Sequence, residues 1–424
     1  MHISPLAAHG GCSCDSLSDA APMMSVASAL DRALAQVAPI TDTQTVSLEH
    51  APGRTTGASV CAAEALPFFE NSAMDGFALR LSDLAGRCCL PVAGTVAAGD
   101  PPRDLPGGAA LRIYTGAPLP KGADAVAMVE ACIDKGDKVH FAAPPAPGDN
   151  IRRRGSEQDA GQVLLRANTR IAAHHIGLLA ANGIAAVDVL RKPRVAVFST
   201  GDELRSGPRA PGQIPDANRP MLLALARQAG ADVTDLGILP DDVEATAAML
   251  HGLGDAHDLI VSSGAVSMGG KDHIRAALTA AGGVVEGWRV ALKPGKPVMF
   301  GRLRDAAFTG LPGNPFAVHV GFHMFVLPQL AQLLGARPAP FAPVPAIAGF
   351  DWTRKAGRAE VFPVRLNAYT PAGLPVLERL GRSVSATLLP LAGADGLAIV
   401  PPECSSISFG APLMWRPLCP TGDL

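Results

Sequence analysis

Apolar residues recur at Val26, Ala29, Leu30, Ala33, Leu34 and Val37, the spacing that lines one face of a helix, and Pro39 ends the run. An amphipathic helix over residues 25–38 follows. Beyond residue 45 the pattern changes, and short apolar runs such as Arg112-Ile-Tyr-Thr115 and Ala125-Val-Ala-Met-Val129 are separated by Gly and Pro clusters. That pattern predicts an elongated β-rich domain. A helix near residues 172–181 stops at Asn182-Gly183 and leads into a strand at 185–190. Regular alternation begins there: strand 194–198, helix 220–228 stopped by Gly230, strand 232–239, helix 241–250, strand 258–261 and a helix from near Asp272. Strands alternating with helices predict a parallel sheet wound by right-handed crossovers. From Phe341 onward, short β runs and turns predict a small β-barrel or sandwich.

The chain therefore divides into five parts: a flexible tail at 1–22, a discontinuous helical linker domain at 23–50 and 151–192, a β-rich domain at 51–150, an α/β domain at 193–338 and a C-terminal β domain at 339–424. With 424 residues and 48% hydrophobic side chains there is ample material for several cores. The 36 Lys+Arg nearly balance 38 Asp+Glu, which excludes the strongly basic face that nucleic acid requires but leaves small phosphorylated ligands open. Eight scattered cysteines read as reduced thiols rather than a disulfide framework, and a Cys12/Cys14 pair supplies too few ligands for a closed metal site. No basic end followed by an apolar block opens the chain, so a cytoplasmic location is expected. The uncharged apolar stretch within 306–336 carries Pro312, Pro315, His319, His323, Pro328 and Gln329, so a buried helix is expected there and no membrane span.

Ligands of open α/β sheets sit beyond the carboxyl ends of the strands. Three Gly-rich loops fall there: Ser199 to Leu204, Ser262 to Gly270, and Gly310 to Pro315. Glycines let backbone amides approach a phosphate, and Lys293-Pro-Gly-Lys296-Pro297 adds two ammonium groups for an oxyanion. Asp202, Glu203, Asp216 and Asp272 supply the carboxylates that Mg2+ takes together with phosphate oxygens. Helix capping is the competing reading of Asp216, Asp241 and Asp272, and for Asp241 it is preferred. Residues 264–271 are not a P-loop, because the first Gly is one place early and Asp272 replaces the metal-binding Ser or Thr. Arg152 to Arg154 and the His174-His175 pair read as solvated or packed surface. Phe68-Phe-Glu-Asn-Ser-Ala-Met-Asp-Gly-Phe77 places Asp75 in an apolar, Gly-ended loop suited to ligand contact.

Six motifs in order, Asn71-Ser-Ala-Met-Asp-Gly76, Thr115-Gly-Ala-Pro-Leu-Pro120, Arg152-Arg-Arg-Gly155, Ser199-Thr-Gly-Asp-Glu-Leu204, Lys293-Pro-Gly-Lys-Pro297 and Leu311-Pro-Gly-Asn-Pro315, resemble the molybdopterin molybdenumtransferase family, MoeA in bacteria and the gephyrin E domain in animals. The resemblance runs from about Val26 to Val400. It implies a multidomain α/β plus β fold: a central MogA-like three-layer α/β domain, an elongated β-rich domain and a C-terminal small β-barrel. It also implies an activity, molybdenum insertion into adenylylated molybdopterin from molybdate with Mg2+ and release of AMP, performed by a homodimer whose β-rich domains close the partners' clefts. Contact with a MogA-type adenylyltransferase and with molybdoenzyme chaperones is a further expectation.

Carried over by motif, Asp75, Thr115, Glu157, Glu203 and Asp216 would serve catalysis, with Asp75 and Thr115 supplied by the partner. Arg152, Ser263, Gly264, Lys293, Lys296, Pro312, Pro315, Arg358 and Ser385 would bind substrate, Lys293 and Lys296 taking molybdate; Asp202 and Asp272 would hold Mg2+. The chain departs from the family's usual residues at Glu157, Ala265, His273, Phe316-Ala317, Val361 and Pro363. Nucleotidyl transfer to molybdopterin and a non-enzymatic scaffold role are the alternatives.

Overall fold

The computed structural model describes residues 23–264, 273–338, 341, 343–381 and 386–418. The chain forms two compact units, Met1–Asp42 with Leu190–Leu424, and Thr43–Val189. Helix α1, Val26–Leu34, opens the first; Ser25 caps it by accepting a hydrogen bond from the Ser28 amide at 3.0 Å. Ala29, Ala33 and the following Val37 pack into the α/β core of that unit. The sequence reading groups this helix with 151–192, but its apolar face instead fills a gap between sheet and helices that residues after 190 build.

The unit Thr43–Val189 holds a six-stranded sheet of β1 (Gly76–Leu79), β2 (Cys89–Val96), β3 (Ala110–Ile113), β4 (Ala125–Met128), β5 (Cys132–Asp134) and β6 (Lys138–Phe141), in the order β4-β1-β3-β2-β6-β5. Alternation along each strand gives the sheet two cores. Phe77, Leu79, Leu90 and Val139 fill one; Ala78, Val96, Leu111 and Ile113 fill the other. Near the ends of the unit, strands Thr43–Ser47 and Ala186–Leu190 pair, and helix α2, Ala173–Ala181, buries Leu179 against Ala51, Ile171, Val187 and Val189.

The first unit resumes with β7 (Arg194–Thr200), α3 (Asn218–Gln228), β8 (Asp232–Leu239), α4 (Val243–Leu250), β9 (Leu259–Ser263), α5 (His273–Ala280), β10 (Gly283–Arg289), β11 (Pro297–Leu303) and β12 (Ala306–Leu311). Strand order is β8-β7-β9-β12-β11-β10; β8, β7, β9 and β12 run parallel, β11 is antiparallel to β12, and β10 is antiparallel to β11. Val195 and Val197 of β7 pack with α1 and α3, whereas Ala196 and Phe198 pack with Leu250 of α4 and Ile274 of α5. This alternation makes a three-layer α/β/α sandwich.

The apolar stretch read as one buried helix begins as the buried strand β12, and only at Pro315 does a helix start: α6 (Pro315–Gly321), a π turn (Phe322–Val326) and α7 (Leu327–Leu333). Pro312 and Gly313 separate the two elements. Among the described residues this helix alone has the length and apolarity to cross a membrane, yet 83% of its apolar window is buried in the protein. Its fully buried Gln329 is satisfied, accepting from the Thr309 hydroxyl at 2.8 Å and donating to the Ala33 carbonyl at 2.9 Å.

Strands β13 (Val344–Ala348), β14 (Ala359–Tyr369), β15 (Pro375–Arg379), β16 (Gly396–Val400) and β17 (Pro412–Pro417) close into a barrel in the cyclic order β14-β15-β13-β17-β16-β14. Phe362, Val364, Leu377, Ala398 and Trp415 fill it.

Candidate functional site

Three of the parallel strands, β7, β9 and β12, deliver their carboxyl ends to loops that carry predicted residues. After β7 the chain turns at Gly201, with the Leu204 amide donating to the Gly201 carbonyl at 2.9 Å, and leaves Asp202 and Glu203 exposed. Ser263 ends β9 and Gly264 follows; a Cβ on Gly264 would lie 2.2 Å from the Thr200 carbonyl oxygen, and its φ of 95° is one that L side chains rarely adopt. Gly264 is thus the residue that lets the β7 and β9 ends approach. After β12, Pro312 leads to Asn314, and Pro315 starts α6.

Asn218, in the first turn of α3, ties the loops after β9 and β12 together. Its amide nitrogen donates to Ser263 Oγ at 2.7 Å and to the Gly313 carbonyl at 2.6 Å. Asp216 accepts from Ser199 Oγ at 3.1 Å, from the Asn218 and Arg219 amides at 3.1 Å each, and from Arg219 Nε at 3.0 Å. This is the capping geometry left open for Asp216. Burial by itself lowers the Arg219 pKa, but hydrogen bonds to Asp235 and Asp216 outweigh it and the net direction is up. A helix read from Pro220 leaves Asn218 in a loop; the signal that places it is the carboxylate two residues earlier, ready to cap its amide.

Asp241 is not the cap of α4. The neighbouring Asp242 accepts from the Ala245 amide at 2.7 Å, which satisfies an end group of the helix. Asp241 instead accepts a hydrogen bond from Thr200 Oγ1 and lies 3.2 Å from His273 Nε2, itself 3.0 Å from the same hydroxyl. This cluster joins the end of β7 to the start of α5. Of the loop between β9 and α5, Asp272 and Ala265 lie outside the described residues, as do Cys12, Cys14 and Ser385.

Lys293 sits in a short strand, Leu292–Lys293, that pairs with β14 opposite Ala359 and Glu360. Its Nζ is 3.1 Å from Glu360 Oε1. Glu360 is buried, and its other oxygen accepts from Arg354 Nε at 3.0 Å. Arg354 also donates to the carbonyls of Pro401, Cys404 and Arg358. The barrel thereby places an acid on Lys293 that sequence reasoning missed, although it stands two residues after Arg358. The Lys296 carbonyl accepts from the Val290 amide at 2.7 Å.

In the unit Thr43–Val189 the predicted residues also gather. Asp75 Oδ1 accepts from the Thr115 amide at 2.7 Å and from the Thr115 hydroxyl at 2.9 Å. These bonds, the backbone one foremost, hold the exposed Asp75 carboxyl below its ordinary range. Gly76 has no room for a side chain, since a Cβ would lie 1.9 Å from the Ala127 carbonyl oxygen. Arg152 lies opposite Asn71 in a two-residue ladder, and the Glu157 amide donates to the Leu66 carbonyl at 3.0 Å. Around them Phe68, Phe69, Met74 and Tyr114 are exposed.

Fold and loops together define a multidomain α/β protein with polar loops at the carboxyl ends of a parallel sheet. Residues 24–183 match the MoeA N-terminal region (domain I and II), 196–332 a probable molybdopterin binding domain, and 345–418 the MoeA C-terminal region (domain IV). Molybdopterin molybdenumtransferase of Haemophilus influenzae is 38% identical over 347 residues, 80% of this chain and 85% of that protein. The relative of that name from Nostoc sp. is 35% identical over 381 residues, 87% of each chain. A molybdopterin biosynthesis MoeA protein from Pyrococcus horikoshii superposes with a TM-score of 0.79 at 27% identity, covering 93% of this chain and 99% of that one. The chain belongs to the molybdopterin molybdenumtransferase family, a family of transferases.

Proposed function

We propose that this protein inserts molybdenum into adenylylated molybdopterin, using molybdate and Mg2+ and releasing AMP. The observation that supports this reading most is the convergence of the Gly201–Leu204 turn, Ser263-Gly264 and the Pro312–Pro315 loop, the last two joined through Asn218, in a member of this family. Backbone amides at such strand ends donate hydrogen bonds to phosphate oxygens, and Gly264 lets them approach. Asp202 and Glu203 offer oxygen donors only, the set that Mg2+ prefers; Asp202 with Asp272 would hold the ion, which when bound offsets charge on the phosphoanhydride. Lys293, oriented by Glu360, and Lys296 would hold molybdate. Arg152 and Arg358 would meet the substrate's anionic groups.

The working form in this reading is a cytoplasmic homodimer in which Asp75 and Thr115 of one copy serve the strand-end loops of the other. Purified protein given adenylylated molybdopterin and molybdate should release AMP and yield molybdenum-loaded cofactor. Changing Lys293 and Lys296 together to Gln should raise the molybdate concentration for half-maximal turnover at least tenfold while binding of the adenylylated pterin changes little. Equal loss of pterin binding would assign both lysines to its phosphates. Mixing Asp75→Ala with Asp202→Ala chains should restore part of the activity; none, after demonstrated chain exchange, would place the whole site within one copy.

A further inference from the structure

At the start of β2, Cys88 and Cys89 come together with His140 of β6, one ligand atom from each lying within 4.8 Å of the others. Cys89 stands directly opposite His140 in the antiparallel ladder. Cys88 is tied to the same ladder, its carbonyl accepting from the Phe141 amide at 2.9 Å. Both cysteines are unpaired thiols. We propose that Cys88, Cys89 and His140 bind a thiophilic metal ion of the zinc class.

The donor chemistry selects the ion. Two sulfurs and an imidazole suit a borderline-soft cation and not Mg2+, which demands oxygen. Bonds of about 2.3 Å to sulfur and 2.0 Å to nitrogen put tetrahedral ligand atoms ~3.5–3.8 Å apart, so small side-chain rotations close the present separation. Cys132, opposite Phe141, packs against the apolar core on the other face, so it is not the fourth ligand. Cys88 is exposed, and water completes the shell. On binding, each thiol proton passes to solvent and each sulfur gives an electron pair to the ion, so affinity tightens as pH rises.

This site is apart from the Asp75–Thr115 pair. Strand β2 runs parallel to β3, pairing Val92 with Ala110 and Val96 with Ile113, and Thr115 follows the end of β3. Cys89 is therefore at the opposite end of β2, about 23 Å away at the usual rise per residue. The ion would act as a clip between β2 and the edge hairpin β5–β6, whose Ile133 is exposed and whose partners lie on one side only.

The test uses the reduced full-length protein titrated with Co2+, whose thiolate charge-transfer and visible bands report sulfur ligation, followed by displacement with Zn2+. One equivalent per chain is expected, retained in a Cys12→Ser/Cys14→Ser variant and weakened at least tenfold in Cys88→Ser, Cys89→Ser and His140→Gln. Zn2+ should raise the thermal midpoint of the wild type by a few degrees and leave these three unchanged. In the wild type itself, Zn2+ should protect Cys88 and Cys89 from alkylation, read peptide by peptide, which holds even if a variant folds poorly. Unaltered Co2+ bands in all three variants, loss of the bands in the tail variant, or alkylation of Cys88 and Cys89 at saturating Zn2+ would overturn the assignment.

Discussion

Glu360 shows how one buried side chain can serve two ends. It pairs with Arg354 inside the barrel and with Lys293 of the Lys-Pro-Gly-Lys loop, so it fixes a loop charge from a separate subdomain. Glu360→Gln keeps the shape but removes the charge, leaving the Arg354 guanidinium, 2% exposed, without a counterion. Breaking such a buried pair costs about 3–5 kcal/mol, whereas a surface pair would cost under about 1 kcal/mol. Chemical denaturation should therefore show a large fall in stability, and a loss within experimental error would mean that the Arg354 carbonyl contacts suffice. The residue-level lesson is that Lys293 was legible in a motif while its partner was not: Glu360 is 67 positions later, and only the pairing of Leu292–Lys293 with β14 brings them together.

Among the elements, the long apolar helix carries a liability at low pH. His319 and His323 lie one turn apart with rings 4.7 Å from each other, both buried. Burial, aided by the Arg416 charge, pushes His319 down to about 4; burial, His319 and Arg416 push His323 down to about 2. Both folded-state values are below the unfolded one, so the unfolded chain binds more protons in acid. The stability these neutral imidazoles allow is complete above about pH 6.5 and is lost progressively as pH falls toward 4, on the order of 2 kcal/mol per histidine by pH 5. Thermal midpoints should fall between pH 7 and pH 5, and His323→Leu should flatten that slope; an unchanged slope would remove His323 as the cause. Sequence periodicity announced burial here but misjudged where the helix begins. A short apolar run such as Ala306–Leu311 fits a buried strand and a buried helix equally, and only pairing with β9 and β11 decides between them. The regular strands and helices of residues 194–250 were legible because each alternation switches period, whereas Asn218 and Asp241 were not, since their partners are Gly313, Ser263, Thr200 and His273 on other elements.

For the whole molecule, the unit Thr43–Val189 is an insertion between α1 and β7. Its ends meet, because Thr43–Ser47 pairs with Ala186–Leu190, and its cores are its own. Residues 42–190 expressed alone should give a cooperative thermal transition with strand-rich circular dichroism. A featureless melt would show that the rest of the chain is required for this unit to fold. The same insertion sets a schedule for synthesis. Helix α1 leaves the ribosome before its partners, and the amide of Gln329 that donates to Ala33 is 296 residues downstream. At roughly 5–20 residues per second that interval is about 15–60 s. During it a whole folding unit can form while the apolar face of α1 waits in water, which makes this nascent helix a natural site for chaperone capture and for premature aggregation.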